Sequence, residues 1–236
     1  MNGKQENRAL APVYERPDLH GRVHVFVDRE QAGEVLAEML AGRVPETALV
    51  MGIPSGGVPV AVACARRLGL PLEVAVVSKV LLPWTTEAGF GAVAFDGSVW
   101  LNEDYIRAYG LDEETVARQV AAAREKVERR VRRFRGTRPL PDLAGRTVVL
   151  VDDGIAAGST MLTAIRALRR LDAGEVVVAV PTAHDDSLLR VAAEADGVYC
   201  ANVREGGRFA VAEAYVAWRD VPEDEAVALY RSLQGE

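Results

Sequence analysis

The sequence predicts an α/β fold in which a mainly parallel sheet is flanked by helices, with a β-hairpin inserted. Short apolar runs rich in β-branched residues alternate with segments of helical period along the 236 residues, and this alternation is typical of βαβ units. The composition is 49% hydrophobic, which allows one large domain to bury a substantial core. Glycine-rich turns follow two of the predicted strands, as expected where a parallel sheet binds a ligand.

The first helix is predicted to begin after Asp28. The pattern Asp-Arg-Glu-Gln forms a capping box there, and it is followed by apolar residues at helical spacing, namely Ala32, Val35, Leu36, Met39 and Leu40. The chain before it, residues 1–22, is polar and shows no period, so it is predicted to form an arm. Later strands are predicted at residues 48–51, 72–77, 147–151, 175–180 and 198–200, with helices at residues 58–68, 160–171, 185–195 and 221–233.

Two insertions interrupt the alternation. Residues 91–102 alternate apolar and polar side chains about Asp96-Gly97, which predicts a hairpin with a type I′ turn, projecting from the sheet as a ribbon. Residues 112–135 form a long charged helix with one apolar stripe. Its arginine-rich end is expected to be solvated or packed against a second subunit rather than to bind a ligand.

Charge and cysteine usage exclude several function classes. A net charge of −6 and a pI near 5.3 argue against a nucleic-acid or membrane surface. The longest apolar runs are much shorter than the roughly 20 residues of a membrane helix, and no signal-peptide pattern is present, so a cytoplasmic location is expected. Cys64 and Cys200 lie far apart in apolar surroundings, which predicts buried free thiols and no protein-ligated metal.

The stretch from Val151 to Thr160 carries the clearest chemistry. Asp152 and Asp153 come directly after an apolar strand, at the strand end where parallel sheets bind ligands. Two adjacent carboxylates are costly there unless they accept hydrogen bonds, which vicinal sugar hydroxyls can donate. The loop that follows leads into a helix, so its backbone amides and hydroxyls could hold a phosphate. The predicted phosphate-binding residues are Ile155, Ala156, Ala157, Gly158, Ser159 and Thr160.

A second glycine-rich loop follows the first core strand and precedes a helix. It reads Gly-Ile-Pro-Ser-Gly-Gly, and its candidate binding residues are Ser55, Gly56 and Gly57. Lys79 lies at the end of the predicted strand 72–77 and is expected to face the same crevice.

These motifs resemble those of the type I phosphoribosyltransferase family, and the resemblance extends from about Phe26 to Tyr230. It implies that Asp152 and Asp153 bind the ribose hydroxyls of phosphoribosyl pyrophosphate (PRPP) and that residues 155–160 hold its 5′-phosphate. It also implies that the loop at Ser55 and the side chain of Lys79 bind pyrophosphate, with Mg²⁺ held mainly through the substrate. The implied reaction transfers the phosphoribosyl group to a nitrogenous base.

The resemblance also implies a domain organisation. An arm at residues 1–22 precedes a domain at residues 23–236, whose core covers about residues 47–200. A hood at about residues 203–220 would hold the base through Phe209, Tyr215 or Trp218, and the arm is a second candidate for this hood. The loop at residues 80–91 would close over the site. The expected partners are PRPP and a base, and a homodimer is possible.

The sequence departs from the family pattern at four positions. Ala156 stands where hypoxanthine-type members have an Asp, and Ala157 stands where many members have a Thr. Ser55 and Ser78 replace two arginines that relatives often place near the pyrophosphate. A non-catalytic regulator that binds PRPP or a nucleotide is therefore the leading alternative, and a flavodoxin-like signalling domain is a third.

Overall fold

The computed structural model describes residues 9–86 and 88–235. Its main sheet contains six parallel strands in the order β1-β9-β8-β7-β2-β3, which confirms the predicted α/β class. These strands are β1 (Val13–Tyr14), β2 (Leu49–Gly52), β3 (Leu72–Val74), β7 (Val148–Val151), β8 (Val176–His184) and β9 (Gly197–Arg204). The four residues of β2 and of β7 are all buried, as expected for strands covered by helices on both faces.

Seven helices accompany the strands within the described residues: α1 (Arg29–Leu40), α2 (Gly57–Leu68), α3 (Glu103–Ala108), α4 (Glu113–Arg135), α5 (Ser159–Arg170), α6 (Asp185–Ala192) and α7 (Glu223–Gln234). The predicted cap of α1 is present, because Asp28 Oδ1 accepts a hydrogen bond of 2.9 Å from the Gln31 amide. The short helix α3 was not predicted from the sequence. None of the helices in the described ranges has the length and apolar character needed to cross a membrane.

The predicted strand 72–77 is two strands, and the hairpin does not project as a free ribbon. The strand β3 ends at Val74, and the chain then enters β4 (Val77–Leu81). β4 pairs antiparallel with β5 (Gly89–Ala94), and β5 pairs antiparallel with β6 (Val99–Leu101). This second sheet packs against α4 and α5, and most apolar residues of β4 and β5 are buried. The turn is not of type I′, since Gly97 takes a positive φ and Asp96 does not.

Part of the basic end of α4 packs inside the chain. Arg130 and Arg135 are buried, and Arg133 pairs with Glu223 of α7 at 2.8 Å. Arg135 also lies 3.2 Å from Glu73 of β3. Arg129 and Arg132 are exposed, as expected for a solvated helix end. The expectation is wrong for Arg130 and Arg135, which pair with Glu223 of α7 and Glu73 of β3.

The described part of the arm lies along the edge of the main sheet. Val13 and Tyr14 pair with Val198 and Tyr199 of β9, and the rings of Tyr14 and Tyr199 stack with centroids 4.7 Å apart. Residues 1–8 of the predicted arm lie outside the described residues. The division into arm, core and hood stays a prediction.

Candidate active site

Asp152 and Asp153, which we call the acid pair, follow the carboxyl end of β7 at the centre of the main sheet. Val151 pairs with Gly52 at the end of β2, so the loops that follow these two strands emerge side by side. Asp152 and Asp153 therefore face the glycine-rich loop after β2. The sequence predicted both loops, and the sheet order brings them together.

The glycine-rich loop contacts the acids so closely that side chains would not fit. A Cβ atom on Gly56 would lie 2.7 Å from Cγ of Asp153, and one on Gly57 would lie 2.7 Å from Cα of Asp152. Real Cβ contacts are almost never this short, so both positions need glycine for close approach. The peptide bond between Pro54 and Ser55 is cis.

Burial governs the protonation of the acid pair. Loss of hydration raises the pKa of Asp152 well above its ordinary value, and the charge of Asp153 raises it further. Burial also raises the pKa of Asp153, but the Arg29 guanidinium opposes this shift. Two acids with raised pKa values and little solvent indicate a site that is electrostatically unfavourable while empty and suited to hydroxyl donors or cations.

Arg29 is a member of this site that sequence reasoning missed. Its Nε and Nη2 atoms both lie 2.9 Å from Oδ2 of Asp153, and its guanidinium stacks 3.9 Å from the ring centre of Trp218. Nη1 donates to the backbone oxygen of Arg219 at 2.9 Å. Arg29 therefore connects the acid pair to the chain segment predicted as the hood.

Tyr215 also connects that segment to the acids, but not as an open stacking surface. Its hydroxyl donates to the backbone oxygen of Asp153 at 2.6 Å, and its side chain is 1% exposed. Burial raises the pKa of Tyr215 well above its usual value, so the hydroxyl stays a donor. Phe209 packs edge-on against His184. Trp218, 37% exposed, is the predicted hood aromatic whose ring lies against Arg29.

The predicted phosphate loop is held between β7 and β8. The amide of Ile155 donates to Thr182 at 2.9 Å, and the Ile155 oxygen accepts from the His184 amide at 3.1 Å. Gly158 takes a left-handed φ of 76° immediately before α5, a conformation that favours glycine. The loop thus ends on the first turn of α5, whose leading amides have no partner within the helix and can donate to an anion.

Lys79 lies on β4 and lines a cavity of about 500 Å³. Pro54 from the glycine-rich loop and Thr160 from α5 line the same cavity. The structure therefore brings the predicted lysine to the space between the two loops. Ser78 and Lys126 also line it, and Lys126 was not among the predicted site residues.

A group of possible metal ligands lies away from the acid pair. His184, Asp185 and Asp186 have ligand atoms within 4.8 Å of one another. Both ring nitrogens of His184 already have protein neighbours, at 2.9 Å from the Gly206 oxygen and 3.0 Å from Asp185. The group is therefore accounted for by contacts within the chain.

The chain is similar to several known proteins. Residues 29–213 match the family model described as phosphoribosyl transferase domain. Two Mycobacterium tuberculosis proteins from different strains, provisionally named phosphoribosyl transferases, are each 40% identical over 204 residues. That match covers 86% of this chain and 46% of each relative, so the chain spans about half the length of the curated relatives it matches. A Thermus thermophilus protein of known crystal structure is 37% identical with a TM-score of 0.74, covering 88% of this chain and 98% of that one.

Proposed function

Because the chain belongs to the phosphoribosyl transferase domain family, we propose that it transfers a phosphoribosyl group from PRPP to a nitrogenous base and releases pyrophosphate. The observation that carries this proposal is the close contact of Gly56 and Gly57 with Asp153 and Asp152. It puts acids suited to ribose hydroxyls beside a loop suited to an oxyanion. The phosphate loop before α5 completes a surface with the three parts that PRPP requires.

Each part of this site has its own role in the reaction. Asp152 and Asp153 accept hydrogen bonds from the ribose hydroxyls and fix the sugar, while the amides of residues 155–160 hold the 5′-phosphate. The bond from C1 to the pyrophosphate oxygen breaks, and pyrophosphate leaves with the electron pair. The base nitrogen donates a pair to C1 and its proton passes to solvent. Lys79 and the amides near Ser55 stabilise the charge that develops on pyrophosphate.

The donor set fits Mg²⁺ that arrives with the substrate. Carboxylate oxygens suit this ion, but two lysines line the cavity between the two loops and disfavour a bare cation in that cavity. When bound to pyrophosphate, Mg²⁺ neutralises part of the leaving group's charge. Asp152 is the residue of this chain best placed to meet it, because Arg29 already engages Asp153.

The loop between β4 and β5 is the proposed lid. It is confined to residues 82–88, shorter than the predicted 80–91, because both flanking strands extend into that range. Trp84 is 62% exposed on this loop and meets Tyr109 edge-on. Closure would exclude water from C1 during transfer. Residue 87 of this loop lies outside the described residues.

A regulator that binds PRPP without turnover is the second candidate, and one observation favours it. Ser55 and Ser78 occupy the positions where relatives often have arginines. The chain therefore has fewer positively charged side chains to bind the pyrophosphate leaving group. The cytoplasmic location and the possible homodimer remain predictions under either function.

A panel of bases separates these two functions. With PRPP and Mg²⁺, one of adenine, guanine, hypoxanthine, xanthine, uracil or orotate should release pyrophosphate at a rate well above the background without base. Asp104→Asn, an exposed carboxylate on α3, should leave that rate unchanged. Calorimetric binding of PRPP with no base-dependent release would favour the regulator. Failure to bind PRPP at all would reject both.

A further inference from the structure

We propose that helix α4 supplies a second pyrophosphate-binding cation, Lys126, which lines the same cavity as Lys79. This inference rests on the proposed function, because it assigns a new residue to the leaving-group part of the same site. Lys126 belongs to the helix whose basic end the sequence analysis did not connect with the site.

The lining of the cavity matches a polyphosphate. Lys79 enters from β4 and Lys126 from α4, and the hydroxyls of Ser78, Thr86 and Thr160 lie around them. Among the described residues of the lining there is no carboxylate, although the protein as a whole is acidic. The ammonium groups of Lys79 and Lys126 and the hydroxyls of Thr86 and Thr160 are donors without full negative charge, which suits an anion with several oxygens.

The helix is fixed against the glycine-rich loop. Arg130, one turn beyond Lys126, donates from Nη2 to Oγ of Ser55 at 3.0 Å, and its Nε donates to Glu223 at 2.7 Å. Residues four apart share one face of a helix, so the contact at Arg130 holds Lys126 toward the loop. Arg130 is a positioning residue in this arrangement, since it acts through Ser55 and the helix.

The choice of lysine also points to a specific role. The chain has three lysines among its 28 basic residues, and two of the three line this one cavity. The arginines of α4 that contact α7, Arg130 and Arg133, instead pair with carboxylates of this chain. A lysine ammonium is a compact point charge on a flexible stem, so it can bind phosphate oxygens without the fixed fork geometry of arginine.

Calorimetric titrations of the Lys126→Gln variant test the assignment with three ligands in Mg²⁺ buffer: PRPP, pyrophosphate and ribose 5-phosphate. PRPP and pyrophosphate should each bind about tenfold more weakly than to the wild type, as one charge-assisted contact of about 1.4 kcal/mol is lost. Ribose 5-phosphate should bind as before, because it lacks the pyrophosphate group. Lys126→Arg should recover most of the affinity. Lys126 is exposed, so these variants should fold.

Arg124→Gln is the matched control, because it removes the same charge from an exposed position on the other side of α4, facing the hairpin. It should leave all three affinities unchanged. If the wild type binds PRPP and Lys126→Gln binds it equally well, the assignment of Lys126 is wrong and the proposed function stands. An equal loss for ribose 5-phosphate would also overturn the assignment. If the wild type does not bind PRPP, the proposed function fails and the inference fails with it.

Discussion

Asp152→Asn should weaken PRPP binding by about tenfold to a hundredfold without unfolding the protein. The lost interaction is a hydrogen bond from a ribose hydroxyl to a charged carboxylate, worth about 1.5–3 kcal/mol. Substitution of Asp153 as well should remove detectable binding. Titration calorimetry measures both effects, and Asp104→Asn again provides the control.

Without ligand, the Asp152→Asn variant should be at least as stable as the wild type. Burial and the neighbouring charge raise the pKa of Asp152, so the folded chain holds this proton more tightly than the unfolded chain. The free energy of unfolding of the wild type therefore falls as pH rises above the ordinary carboxyl pKa. Asp152→Asn lacks this titrating group and so avoids the loss. Denaturant unfolding should give Asp152→Asn a higher free energy of unfolding than the wild type at pH 7. At pH 4 this difference should be smaller. Unchanged PRPP affinity would contradict the assignment of Asp152 to the sugar.

Arg29→Gln should destabilise the protein by about 3 kcal/mol at pH 7, because it leaves the partner carboxylate buried without its cation. The Arg29 side chain is 9% exposed and that of Asp153 is 16% exposed, so solvent cannot replace the lost contact. The variant should recover stability as pH falls toward 4, where protonation of Asp153 removes the unpaired charge. Denaturant unfolding across this pH range measures the effect.

Two further variants control this prediction. Arg29→Gln with Asp153→Asn should be less destabilised at pH 7 than Arg29→Gln alone, because no buried charge remains. Arg66→Gln, whose exposed side chain pairs with Glu30 on the surface, should change stability by less than about 0.5 kcal/mol. A pH-independent loss in Arg29→Gln would mean that the ion pair with Asp153 contributes little.

Local patterns predicted the parts of the fold that depend on neighbouring residues. The capping box at Asp28, the apolar strand before Asp152 and the helix after Ser159 are all present. The ends of β8 and β9 were wrong, since both strands continue for four residues beyond the predicted ends. These extensions contain His184 and Asn202, residue types that are common in turns. In the fold, the extension of β8 pairs with Ile155, and the Asn202 side chain donates to the backbone oxygen of Arg22 in the arm.

The missed site residues depend on contacts between distant parts of the chain. Arg29 meets an acid 124 residues away, and Arg130 meets Ser55 across 75 residues. No local rule reports such contacts. One sequence signal was available for Arg130, because it lies three residues after Val127 and four before Phe134, on the apolar stripe of α4. A charged residue in an apolar stripe is normally paired when it is buried.

A crystal structure with PRPP and Mg²⁺ tests the central claim most directly. The account predicts the 5′-phosphate on the amides of residues 155–160, the ribose hydroxyls at Asp152 and Asp153, and the pyrophosphate between the glycine-rich loop and Lys79. Ligand density that appears only elsewhere on the chain, with the acid pair and the phosphate loop empty at saturating PRPP, would contradict it.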